Sequence, residues 1–198
     1  MSCTVVDLYK SIKKCPGQKV MPGIRPKVYY ILKSNIVAWP SLADAVTADM
    51  GDIATYTGNF TLAEDKKWLR LDLVDMKSNI TAETQGEPPS ATSLNKGTFV
   101  VGGTDAEITG FGRAAINDPL VFLVQDRDGK FRVLGNEMYD SIVKVSQDSG
   151  TGVTDQKQST VEVEVTDLCA APFYSGKIES ADDGNISGAD GSAIAAGG

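Results

Sequence analysis

The stretch Leu120-Val-Phe-Leu-Val-Gln-Asp-Arg-Asp-Gly-Lys-Phe-Arg-Val-Leu134 decides the fold. Its first six residues are a nearly continuous apolar run, which predicts a strand buried on both faces. Asp128-Gly129 then separates this run from a second one, Lys130–Leu134. An Asp-Gly pair between two strong strands predicts a tight hairpin, because glycine supplies the positive φ that such a turn requires. Asp126-Arg-Asp-Gly129 also resembles the start of a calcium loop, but Val124 and Gly135 stand where that pattern needs ligands, so the turn is the better reading.

Working outward, the same β signature recurs. Thr160-Val-Glu-Val-Glu-Val-Thr166 alternates perfectly. Val161, Val163 and Val165 are expected on the core face, and Glu162 and Glu164 on a face that meets water or opposing lysines. With Ile142–Gln147 it predicts a second hairpin. Val28–Lys33, Ile36–Trp39, Ile53–Phe60 and Lys67–Leu73 read as further strands, and Ala171–Ile178 as the last. In Lys67–Leu73 the period-two pattern puts Leu69, Leu71 and Leu73 on one face and Trp68, Arg70 and Asp72 on the other.

One helix is expected, over about 104–116. Thr104-Asp-Ala-Glu107 fits a capping box, Ile108, Phe111 and Ala115 form one apolar face, and Asn117-Asp-Pro119 ends it. Gly110 and Gly112 each weaken it by about 1 kcal/mol. The fold class is therefore mainly β: a β-sandwich or curved antiparallel sheet with one short flanking helix.

Three regions are set apart. Residues 1–27 carry Pro16-Gly17, Pro22-Gly23 and Pro26 and read as an irregular arm, with a short helical turn around Val5–Lys13, able to cap the core or reach a neighbouring subunit. Residues 28–178 form the β-rich domain, with a long loop over 86–97 that reads either as held by a partner or carrying a function, or as a mobile surface excursion. Residues 179–198 hold five glycines, four acids and no base, and read as a flexible tail.

Composition excludes several function classes. The formal charge of −7 repels phosphate, so a conventional nucleic-acid grip is not expected. Histidine is absent, which removes histidine-based triads, histidine-ligated zinc and the commonest neutral-pH general base. No apolar run approaches the length of a membrane span, and Met1–Lys10 has neither the basic start nor the apolar core of a signal peptide. Cys3, Cys15 and Cys169 show no metal-type spacing and are read as reduced, inert thiols, although Cys3 and Cys15 could meet. Gly102-Gly103 lacks the lysine of a phosphate loop, and Asp105 and Glu107 already occupy that helix end. No enzyme activity, metal or cofactor is expected.

A resemblance covers about residues 28–178. The helix, then Pro119–Gly135, the Gly150-Thr-Gly152 segment, the alternating strand and Ala171-Pro-Phe-Tyr-Ser-Gly-Lys-Ile178 resemble, in order and texture, the second half of virion structural proteins of tailed bacteriophages, most closely the tail tube proteins. Gly58-Asn-Phe60, Lys67-Trp-Leu-Arg-Leu71 and Gln85-Gly86 are compatible with the same family. The resemblance implies a subunit made in the host cytoplasm and located in the virion tail. It would form stacked, usually hexameric, rings around a channel, touch other tail proteins, and let DNA pass without specific binding or membrane contact. Glu162 and Glu164 are then the candidates to line the channel. Other virion parts of related fold are the alternative: a tail terminator, a head–tail connector ring or a capsid decoration protein. A soluble binding module with Trp39 and Trp68 as its platform is a further one.

Overall fold

Leu120–Asp126 and Phe131–Leu134 pair antiparallel, with Leu134 opposite Phe122 and Phe131 opposite Gln125. Gly129 sits at φ +104 and donates its N–H to Asp126 O at 3.0 Å, closing the expected turn. A residue with a Cβ at that φ is strained, and its Cβ would also stand 3.3 Å from Asp190 O.

The computed structural model describes residues 9–17, 20–43 and 49–195. In chain order the strands are β1 (Ile24–Leu32), β2 (Ile36–Ala38), β3 (Ser41–Leu42), β4 (Thr55–Thr57), β5 (Thr61–Leu62), β6 (Leu69–Asp72), β7 (Asn79–Gln85), β8 (Thr92–Gly102), β9 (Leu120–Asp126), β10 (Phe131–Leu134), β11 (Ile142–Asp148), β12 (Gln158–Asp167), β13 (Phe173–Tyr174), β14 (Lys177–Ser180) and β15 (Gly184–Ser187). The helix α1 (Ala106–Ala115) lies between β8 and β9. The chain is mainly β. Seven strands form one sheet in the order β3-β4-β13-β10-β9-β1-β6, and four form a second in the order β11-β12-β8-β7. β14 pairs with β15 and β2 with β5 in two small hairpins.

The two main sheets pack as a sandwich. Val28, Phe122, Val124 and Leu134 from the larger sheet meet Phe99, Val143, Val161, Val163 and Val165 from the smaller one. The other face of the larger sheet is also covered. Tyr29, Ile31, Val121, Leu123 and Phe131 lie under Ile36 of β2, Phe60, Trp68, and Ile178 and Ile186 of the last hairpin. Both faces of β9 are therefore buried, as its apolar run requires. The covers are the second sheet on one side and the small hairpins on the other. The helix contributes Ile108 and Ala115 to the inter-sheet core and lies against β11. Gly112 explains the approach: a Cβ there would stand 3.2 Å from Val145.

Several expectations are corrected. The helix begins at Ala106 with Asp105 in the capping position and no side-chain cap bond. Glu107 is thus second rather than third in the helix, and the box read from Thr104 does not form. The 86–97 loop shrinks to a link between β7 and β8, because residues 92–97 belong to an eleven-residue strand. β1 starts at Ile24, inside the region assigned to the arm, since Ile24 is buried in the core and pairs with Asp126. Arm residues 9–13 carry no helical turn, and residues 1–8 lie outside the described residues. Leu71 and Leu73 face the inter-sheet core as expected, but Leu69 is 45% exposed and Trp68 is buried at 1%, because the layer of small hairpins covers the Trp68 side of this edge.

The largest correction concerns the flexible tail. Residues 177–187 form the β14–β15 hairpin, with Ile178 at 0% and Ile186 at 5% exposure. Asp183 at its turn accepts the Tyr29 hydroxyl at 2.5 Å, Lys27 Nζ at 3.1 Å and Arg70 at 2.9 Å. The following residues fold back, with Phe131 N–H donating to Gly188 O and Gln125 Nε2–H to Asp190 O. Glycine and acid content here encodes turns and long-range ion pairs rather than disorder.

Candidate functional site

The outer face of the smaller sheet is a polar surface that the β pattern creates. On β12, Val161, Val163 and Val165 are all at most 2% exposed, so the strand's alternation forces Glu162 and Glu164 to the opposite side. Register then decides their neighbours. Glu162 faces Lys144 of β11 and Thr98 of β8, and Glu164 faces Ile142 and Lys96.

The glutamates are consequently not a bare acidic stripe. Glu164 Oε2 lies 3.7 Å from Lys144 Nζ, and Lys96 Nζ sits 2.5 Å from Glu83 Oε1 of β7. The hydrogen bond to Glu83, with the charges of Glu83 and Glu164, pushes the Lys96 ammonium above its usual value. Glu83, Glu162, Glu164, Lys96 and Lys144 thus interleave with Thr81, Thr98 and Thr160 on one face. The cross-strand partners Glu83, Lys96 and Lys144 were not singled out from the sequence. Finding them requires the register, which no single strand reveals.

The edges of this sheet are open. β7 pairs only with β8 and β11 only with β12, and each edge strand is seven residues long. β7 is unusual in being exposed on both sides, with only Ile80 and Gln85 partly covered. Its outer face carries Glu83, whereas the outer face of β11 carries Lys144 and Asp148.

The other sequence-derived positions lie elsewhere. Asp128 and Gly129 belong to the β9–β10 turn, where Lys130 N–H reaches Asp128 Oδ1 at 3.4 Å and the Asp190 backbone, just after β15, lies close to Gly129. Trp68 is fully buried and Trp39 half-buried against Phe60, at 5.4 Å between ring centres, so the two do not form a platform. Cys15 is exposed, burial pushes the Cys169 thiol up to about 11, and Cys3 lies outside the described residues. Among the described residues no helix is long and apolar enough to cross a membrane.

Comparison with protein-family models, with curated proteins and with solved structures found no match to this chain.

Proposed function

We propose that the chain is a self-assembling virion structural protein, a tail tube subunit whose smaller sheet lines a channel for DNA. The observation that carries this reading is the four-stranded sheet with two open edges of equal length that run in opposite directions. An even number of antiparallel strands leaves β7 and β11 running in opposite directions. Copies related by rotation about a ring axis would therefore pair β7 with the next β11 in antiparallel fashion and continue the sheet without a break. A two-fold pairing of like edges would instead give a closed dimer whose remaining edges stay open, and no ring.

In a closed ring the face that carries Glu162 and Glu164 turns inward. Its interleaved acids and lysines give a passing polyanion few places to bind, while the chain's −7 charge discourages lasting contact. The arm supports assembly as well, since Tyr9, Ile12 and Val20 are all at least 77% exposed and have no apolar cover within the described chain. Contacts from ring to ring, and to other tail proteins, are assigned to this arm.

The test is a charge swap read by light scattering. Glu83→Lys and Lys144→Glu should each lower the assembled mass, and the double variant should restore it. Assembly indifferent to both single changes would contradict edge pairing.

A further inference from the structure

A cleft of about 230 Å³ opens at one end of the sandwich, away from the sheet face just described. Trp39, Leu42, Tyr56, Met138, Tyr139 and Asp167 are among its lining residues. Asp167 ends β12 on the core side and is 2% exposed. Its Oδ1 accepts the Leu168 N–H at 2.7 Å, but Oδ2 has no hydrogen-bond partner among the described residues. The neighbouring Asn136 amide favours the charged form, yet it donates to Thr166 O rather than to Oδ2.

A buried carboxylate oxygen without a partner is costly, and such groups ordinarily find a donor or a counter-charge. The surroundings specify which. Glu137 also lines the cleft, no lysine or arginine does among the described residues, and Lys33 at the adjoining loop is engaged with Asp140 and Tyr139 O. Burial first, and the Asp167 charge second, push both Tyr56 and Cys169 upward, and neither supplies a cation. Aromatic faces attract cations, and here they are held in place. Trp39 meets Phe60 edge-on, and Phe60 in turn meets Trp68 at 5.3 Å. The volume is several times the roughly 30 Å³ share of one water and below that of drug-sized pockets.

We infer that this cleft binds an alkylammonium group, its head on Asp167 Oδ2 and its stem against Trp39, Tyr56 and Met138. The group has two possible sources, a free amine or a lysine side chain of a neighbouring copy. This inference concerns a different surface from the ring proposal, and binding of the probes by the single chain tests it independently of that reading.

The experiment titrates the protein with n-butylammonium and with blocked lysine, following the Trp39 indole N–H resonance, with n-pentanol as the uncharged control. Saturable shifts with both ammonium probes are expected at about pH 7.5, weakened about tenfold or more in Asp167→Asn and in wild type near pH 5, where the carboxylate is protonated. n-Pentanol should bind no better in wild type than in the variant. If assembled particles exclude n-butylammonium that the single chain accepts, the source is a neighbour's lysine. If they accept it equally, the source is a free amine. Absence of saturable binding in wild type overturns the inference, and so does equal affinity at both pH values. The pH arm needs no variant and stands even if Asp167→Asn fails to fold.

Discussion

Replacing Asp167 by asparagine should make the unliganded protein more stable at neutral pH. Burial pushes the Asp167 carboxyl from its ordinary 3.8 up to about 6, against the pull of the Leu168 N–H and the Asn136 amide. A rise of ~2 pH units at about 1.4 kcal/mol each corresponds to about 3 kcal/mol of destabilisation once the group is charged. Asparagine keeps the Leu168 bond but leaves an amide where Oδ2 was, so the net gain is set at roughly 1–3 kcal/mol. In a chain of this size that raises the melting temperature by about 3–10 °C. The sign follows from linkage. A carboxyl whose folded pKa is raised keeps its full stability contribution below about 3.8 and loses it as pH rises through about 6. Thermal melts of wild type and variant across this window should diverge above the upper value and converge below the lower one. A variant no more stable than wild type at neutral pH, or a gap that does not change with pH, would refute the reasoning. Excess n-butylammonium should raise the wild-type melting point and narrow the gap.

Three other perturbations test the fold and the proposed channel. Asp183→Ala should destabilise by about 2–3 kcal/mol, because it strands the buried Tyr29 hydroxyl and frees the last hairpin, and limited proteolysis should then cut between 177 and 187. The Tyr29 bond, burial notwithstanding, holds the Asp183 carboxyl below its usual value, so this contribution is present above that value and fades as pH falls through the lowered one. Gly129→Val should cost about 1–3 kcal/mol through its positive φ and the nearby Asp190 backbone, and an unchanged unfolding midpoint would contradict the hairpin's importance. Glu162→Lys with Glu164→Lys should leave particles assembled but slow DNA ejection, with relief at high salt; normal ejection would make these glutamates ordinary surface charge.

The parts legible in the sequence are those fixed by local pattern. Asp128-Gly129 between apolar runs specifies its own hairpin, and the valines of β12 specify their own face. β7 was illegible because Asn79–Gln85 is exposed on nearly every side and shows no apolar period. The last hairpin was illegible for another reason. Its anchors are two isoleucines eight residues apart and an aspartate whose partners Lys27, Tyr29 and Arg70 come from more than a hundred residues away. Register belongs to this second class too, so Glu162 and Glu164 could be placed on a face but not beside Lys144 and Lys96. Asp167 lies just past the alternating Thr160–Thr166 pattern, and only the tertiary fold buries it beside Trp39 and Tyr56.

Negative-stain electron microscopy of the purified full-length protein at high concentration addresses the proposed assembly directly. The proposal predicts rings or stacked tubes with a stain-filled central channel, lost in the single charge reversals at Glu83 and Lys144. A uniform field of single small particles, with light scattering giving the mass of one chain at every concentration, would contradict it.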